Sequence, residues 1–472
     1  MKGANVASFD MVILGGGTAA VAAATQADEM GATVALVNSG LPLGGTCVNV
    51  GCVPSKALLH AAEVLHQARH HGIPGLALDV TELDFARIVQ GEQDLVKALR
   101  HQKYEAVLPE LANVTVIDGR GRFLGPREVA VNNQVLSAGK VIIATGSTAN
   151  IPPIPGIADV EYLTHIEALA LKELPERLLT IGGGPLGVEF AQMFARFGSQ
   201  VTLLQRADSI VPAAERELTR RLTEVLTDEG ITIETDVRVE SVRQAGNRKV
   251  VTYRTDAGRA ELDVDAILLA AGKTPNTQHL GLTEAGVQVD RHQAIVVDAH
   301  LETSQPGIFA IGDVSNRPVR ENPTAGREGT LAAENALAGT THAIDYDHVP
   351  TTVFTDPQLA SVGVTETEQL RSTGTADCRT LTFDNVPKAV ITRRTEGLIN
   401  MVIDPTTNRI LGIHVLAPNA SEIIAEAMIL VRDGHTIDEV ITTAPMYPTL
   451  SEAIKIVALS FTRDVTKLCC SF

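Results

Sequence analysis

The chain has 472 residues, 44% of them apolar, only 3% aromatic and none Trp, which is the make-up of a soluble α/β protein too long for one hydrophobic core. Its net charge of −17, from 39 basic and 56 acidic residues, argues against nucleic acid or an anionic membrane as partners. The longest apolar run, Met11 to Ala24, is broken by Gly15-Gly16-Gly17, and the amino terminus lacks a secretory pattern, so a cytoplasmic location is expected. Five cysteines do not make a disulfide scaffold and point to redox or metal-binding thiols.

In chain order, an apolar strand at Met11–Leu14 runs into Gly15-x-Gly17-x-x-Ala20, a helix to about Met30 and a strand at Thr33–Val37. The first glycine permits a tight turn and the second lets backbone approach a pyrophosphate. The helix amino terminus then offers free N–H groups and a partial positive charge. Next comes Gly44-Gly-Thr-Cys47-Val-Asn-Val-Gly-Cys52-Val-Pro-Ser-Lys56. Two cysteines five apart at a helix start form a redox dithiol, with the helix dipole and Lys56 favouring a thiolate. Zinc is the rival, but no second Cys or His pair stands at finger-like spacing.

The strand–turn–helix–strand pattern then repeats as Leu178–Ile181, Gly182-x-Gly184-x-x-Gly187, a helix to about Phe197 and a strand at Val201–Leu204. Gly15 precedes Asn38 by 23 residues and Gly182 precedes Gln205 by the same 23. Two copies with matched spacing predict two dinucleotide-binding units. Past residue 345 the pattern changes to strands at Leu398–Ile403 and Ile410–Leu416 and helices at 421–433 and 451–468. On the last helix Ile454, Val457, Phe461, Val465 and Leu468 form one apolar stripe, read as core or subunit packing. Cys378 reads as a buried small hydrophobe, and the 13 histidines as surface residues without metal spacing.

The chain closes on Cys469-Cys470-Ser471-Phe472. Adjacent Cα atoms lie about 3.8 Å apart, whereas ordinary bridges want about 4.4–6.8 Å. Such a pair suits a soft metal ion or thiol exchange better than a structural disulfide.

The segment from Gly44 to Lys56 resembles the active-site segment of the pyridine nucleotide–disulfide oxidoreductases, and the resemblance covers essentially the whole chain. It implies a glutathione-reductase-like α/β fold with two Rossmann-like domains and an α+β dimerisation domain. The expected boundaries are 1–150 and 273–345 for FAD binding, 151–272 for NADPH binding, and 346–472 for dimerisation. FAD is implied at Gly15, Gly17, Ala20, Asn38, Thr46, Ala144-Thr145-Gly146 and Gly312-Asp313. NADPH is implied at Gly182, Gly184 and Gly187, with Lys56 paired to Glu189. Cys52 is the implied thiolate beside the flavin, and Cys47 the thiol that attacks or ligates substrate.

Two departures bear on the cofactors. Asn38 stands where these proteins usually place a ribose-binding Glu, although an Asn still bonds a hydroxyl. Gln205 and Arg206 replace the acid of the second unit, which favours a 2′-phosphate and hence NADPH over NADH.

The disulfide reductases of this group carry His-Pro-Thr-x-x-Glu near the carboxyl end, where this chain has Tyr447-Pro-Thr-Leu-Ser-Glu452. A phenol titrating near about 10 is a poor proton shuttle at neutral pH. The mercuric reductases resemble the chain here, and also in Lys103-Tyr104-Glu105 and in the terminal Cys-Cys. That resemblance implies a homodimer with shared active sites, fed with Hg(II) by small thiols. Cys469 and Cys470 of one subunit would hand Hg(II) to Cys47 and Cys52 of the other, lined by Tyr104 and Tyr447. NADPH and FAD would supply the electrons for Hg(0). An amino-terminal metal-binding domain common in that group is expected to be absent, since the first strand begins by about residue 9. Alternatives are a thioredoxin-reductase-like enzyme with a carboxyl-terminal dithiol relay, and a flavoprotein that sequesters soft metal without catalysis.

Overall fold

The structure, a computed structural model, describes residues 6–467 and divides into two compact units. Leu468, Cys469 and Cys470 lie outside the described residues. The first unit gathers residues up to Ala57, Val89–Asn150 and Gly272–Tyr346; the second gathers Leu58–Ile88, Ile151–Ala271 and the chain from Asp347.

In the first unit, strand Val6–Leu14 lies between Val34–Asn38 and Gln134–Ile143, both parallel to it. Val114–Asp118 and Ile308–Ala310 extend the parallel set, and Gly121–Gly125 and Glu128–Val131 complete the sheet antiparallel. Met11 to Leu14 are fully or almost fully buried, as parallel strands covered on both faces must be. Against one face lie the Thr18–Glu29 helix, rich in alanine, and the Asn322–Ala338 helix. These helices touch backbone to backbone, because a Cβ at Gly329 would stand 2.2 Å from the Ala19 carbonyl oxygen. The other face packs on Phe123, Leu136, Ile295 and Val314.

The second unit repeats the motif. Its parallel sheet runs Thr232–Glu234, Gln200–Leu204, Arg177–Ile181 and Ala266–Leu269, with the Pro185–Phe197 helix against it. An antiparallel sheet of Arg238–Ala245, Arg248–Thr255 and Gly258–Val264 follows. The carboxyl-terminal sheet, in the order Thr351–Val353, Gln358–Gly363, Ile410–Ala417, Leu398–Ile403 and Asp377–Thr382, is antiparallel throughout. Helices Ala420–Arg432 and Glu452–Leu459 cover one of its faces.

Three expectations are corrected. The last helix stops at Leu459 rather than 468; Ser460 and Thr462 turn their hydroxyls back onto the carbonyls of Val457 and Leu459, which competes with further helix. Ile454 and Val457 of its stripe are core, while Phe461 and Val465 pack only partly. His165 and His414 are buried, not surface residues. Cys378 is half-buried, and its thiol is pushed up to about 12 by burial and then by hydrogen bonding to Glu366.

Candidate active site

The first glycine turn is built from backbone that side chains would obstruct. Gly15 has φ +128°, and a Cβ there would stand 2.2 Å from the Ala144 carbonyl oxygen. Its N–H donates to the Val37 carbonyl, so the turn closes directly onto the adjacent strand. Gly17 leads into the Thr18–Glu29 helix without a side-chain cap, leaving the first N–H groups of the helix available to an anion. Gly44 donates to the Gly16 carbonyl, and a Cβ on Gly45 would come within 2.7 Å of the Gly17 Cα. Ala20, in place of the third glycine, is fully buried.

Asn38 ends its strand with its amide committed, donating to the Leu41 carbonyl while its Oδ1 lies against Gly16. Thr145 donates to the Asn276 carbonyl at 2.8 Å, and Asn276 returns a bond to the Thr145 carbonyl at 2.9 Å. Ser147 donates to Asp313 at 2.6 Å. Gly312 donates its N–H to Glu328, whose other oxygen accepts from the Tyr346 hydroxyl. This cradle of glycine backbone, with an aspartate held at its far end, fits FAD, and Gly15, Gly17, Thr46, Thr145, Gly146, Gly312 and Asp313 are the residues that could hold it.

The second turn repeats the geometry. Gly182 has φ +112°, donates to the Leu204 carbonyl, and would press a Cβ to 2.4 Å from the Ala270 carbonyl oxygen. Gly184 precedes the Pro185–Phe197 helix, which starts with Pro and no side-chain cap. At Gly187 a Cβ would fall 1.8 Å from the Gly182 oxygen, so only glycine lets helix and turn meet. The Gln205 side chain accepts from the Gly183 and Arg206 N–H groups, while Arg206 is exposed at the strand end. This set fits a dinucleotide, and a cation at Arg206 suits one carrying an extra phosphate.

The dithiol joins two helices. Cys47 sits in Gly45–Val50, Cys52 opens Cys52–His70, and Gly51 breaks the run between them. Both thiols are free, with Cys47 half-buried and Cys52 exposed. The Cys47 thiol donates to Cys52, and this bond, seconded by Lys56 against the opposing effect of burial, lowers Cys52 to about 7. Cys47 is pushed up for the same reason, since it holds the shared proton. One soft nucleophile near neutral pH therefore stands beside a protonated partner.

Tyr104 falls in the one-turn π-helix His101–Glu105. Its hydroxyl lies 3.4 Å from the Thr18 hydroxyl and its ring sits over Gly44, where a Cβ would be 2.8 Å from the ring. Lys56 belongs to the first unit and Glu189 to the second. Glu189 is buried, its carboxylate accepting from the Phe354 N–H at 2.8 Å. Tyr447 is 60% exposed, and Glu452, opening the helix that follows, is 1% exposed.

Several residues of the site carried no sequence signal. Asn49 binds the carbonyls of Pro42, Leu43 and Gly45 and is itself held by Arg100, which fixes the loop before the dithiol. Lys273 is half-buried, its ammonium pushed down by burial and supported by Asp313 and Cys52. Neither belongs to a spaced motif; only the pairing of Lys273–Pro275 with Ser147–Ala149 brings Lys273 in. No helix among the described residues is long and apolar enough to cross a membrane, and none of their His, Cys, Asp and Glu side chains form a group of three that could hold a metal.

Comparison with known proteins agrees with this geometry. Residues 9–329 match the pyridine nucleotide-disulphide oxidoreductase model, and residues 349–458 its dimerisation domain. The chain is 40% identical to a mercuric reductase of Streptomyces lividans, covering 98% of each chain. It is 36% identical to one from Lysinibacillus sphaericus, over 99% of this chain and 85% of the relative. A mitochondrial dihydrolipoyl dehydrogenase of Pisum sativum is 34% identical over 96% of this chain and 91% of its own. Among solved structures, the HOCl-induced flavoprotein disulfide reductase RclA from Escherichia coli is 31% identical and covers 96% of this chain and all of its own, with a TM-score of 0.86. A Cu(II) complex of the same protein gives 0.87 over 97% of this chain and all of its own. The chain belongs to the pyridine nucleotide-disulphide oxidoreductases, enzymes dependent on FAD and NAD(P)H, and carries the family's dimerisation domain.

Proposed function

We propose that this enzyme is an NADPH-dependent mercuric reductase, converting Hg(II) to Hg(0). Tyr447 carries the reading: an exposed phenol occupies the position where a disulfide reductase needs an imidazole to protonate its leaving thiolate. The mercuric reductases among its relatives support it. Bound in the first cradle, FAD supplies the two-electron link between the nicotinamide and the thiols. Cys52 enters as the thiolate and Cys47 as the adjacent donor that becomes the second ligand once its proton leaves. Two thiolates satisfy a soft d10 cation, and exchange between thiol pairs moves it without release. The balance is Hg(SR)2 plus NADPH plus one proton giving Hg(0), two thiols and NADP+. Cys469 and Cys470 are proposed as the capture pair that receives Hg(II) from small thiols and delivers it to the dithiol of the partner in a homodimer.

NADPH oxidation in excess thiol should depend on Hg(II), proceed faster than with NADH, and vanish in Cys47→Ser and Cys52→Ser. Absence of Hg(II)-dependent turnover refutes the proposal. The disulfide reductase among the solved relatives favours the rival reading, and turnover of a disulfide as fast as Hg(II) would establish it. A Cu(II) arm belongs in the same assay, because RclA forms a Cu(II) complex.

A further inference from the structure

The carboxyl-terminal sheet has a polar row on the face away from helices Ala420–Arg432 and Glu452–Leu459. Ser361, His414, Asn400 and Thr380 stand directly opposite one another on four neighbouring strands, so all four side chains share one face. Their flanking residues Ala360, Val362, Ile413, Val415, Ile399, Met401 and Leu381 point the other way, into the core beneath the helices. His414 is fully buried and Asn400 is 2% exposed.

The donors along this row can be assigned. Thr380 donates its hydroxyl to Glu217, on the Arg216–Asp228 helix, and accepts from the Asn400 amide at 3.0 Å. That fixes the Asn400 orientation and leaves its Oδ1 directed elsewhere as a pure acceptor. At the other end, His414 Nε2 lies 3.0 Å from the Val364 carbonyl oxygen. A carbonyl only accepts, so Nε2 carries the hydrogen. Burial disfavours the cation, and Nδ1 is then a lone pair. Among the described residues Asn400 Oδ1, His414 Nδ1 and the Ser361 hydroxyl oxygen, all buried, have no hydrogen-bond partner.

Two acceptors on adjacent strands cannot bond each other; they need a species with two donor hydrogens. A buried acceptor left unsatisfied carries its full desolvation penalty, so two in one row are a strong demand. We propose that the row is a binding site for one buried water, which donates to both His414 Nδ1 and Asn400 Oδ1 and accepts from the Ser361 hydroxyl. Three polar partners are what a buried water ordinarily finds. The water closes a hydrogen-bonded chain across the sheet, from Glu217 through Thr380, Asn400 and His414 to the Val364 carbonyl at the end of strand Gln358–Gly363. The charged groups bearing on His414 are Glu368, on the Glu366–Thr373 helix that follows Val364, and Glu217 through the chain.

The test is a high-resolution crystal structure of the FAD-loaded enzyme together with thermal denaturation of variants. The expected result is one water peak within hydrogen-bond distance of both acceptors. Asn400→Leu should lower the midpoint by several degrees and Ser361→Ala by less. His414→Leu combined with Asn400→Leu should lose less than the two single losses added, because the pair of acceptors disappears together. No peak between the two side chains overturns the proposal. So does a direct His414–Asn400 contact, a peak with metal-length contacts and anomalous signal, or strictly additive losses. Ser361→Ala keeps the test decisive if the larger substitutions fail to fold.

Discussion

Replacing Cys47 with alanine removes the thiol whose hydrogen bond is the largest cause of the low Cys52 value. With Cys52 at about 7, near half of it is thiolate at pH 7; an unperturbed thiol at 9.0 is roughly 1% ionised there. In the variant burial becomes the largest remaining influence and raises Cys52, with Lys56 opposing it, so Cys52 should move well above 7 and its thiolate fraction at pH 7 should fall by roughly ten-fold or more. The assay is the iodoacetamide alkylation rate of the Cys52 peptide in fully reduced protein, followed from about pH 5 to about pH 10. The wild-type midpoint should lie near neutrality and that of Cys47→Ala should move up. Cys47→Ser, whose hydroxyl donates in the same place, should sit between them. An unchanged Cys52 midpoint in Cys47→Ala, or a wild-type profile in which Cys47 ionises first, refutes the reasoning.

Three further outcomes are expected. Arg196→Met should destabilise the protein by about 3 kcal/mol, because the Arg196 side chain is 5% exposed between Glu229 and Asp356 and its loss leaves the buried Glu229 carboxylate without its cation, while Asp356 keeps Arg394; thermal melting reads this. Glu92, 6% exposed and raised to about 7 by burial alone, is protonated in the folded chain over a range where the unfolded chain has lost the proton. Its stabilising contribution is therefore complete below about 4.5 and lost as pH rises through about 7, so Glu92→Gln should gain melting temperature at about pH 8 and gain almost nothing at about pH 4; a pH-independent difference contradicts this. Gly187→Ala should abolish reduction by NADPH while bound flavin absorbance and reduction by dithionite persist, since its methyl strikes only the second turn.

Both nucleotide units were legible because their signal is local. Glycines at fixed offsets between an apolar strand and an alanine- or phenylalanine-rich helix can be read without knowing the rest of the chain. The dithiol segment was legible for the same reason. Glu328 was not, because it lies 16 residues beyond Gly312 on another helix and acts through a backbone N–H. Asn276 and Lys273 likewise reach Thr145 and Asp313 only through strand pairing. The end of the last helix is hidden from periodicity because an apolar stripe continues past Ser460 and Thr462, whose hydroxyls turn back onto the helix carbonyls and end it. The grouping of Leu58–Ile88 with the second unit has no sequence mark at all, since the boundary falls inside the Cys52–His70 helix.

The helix carrying the second glycine turn is fastened along its length to the segment that enters the carboxyl-terminal sheet. Glu189 holds the Phe354 N–H, Gln192 bonds both the N–H and the carbonyl of Asp356, and Arg196 grips the Asp356 carboxylate, which Arg394 also binds. A substitution at Arg394, some two hundred residues along the chain from Gly187, will thus present in a screen as weakened nicotinamide use. Genetic maps of this enzyme that sort variants by domain would file such a change under assembly, when its first symptom is a cofactor defect.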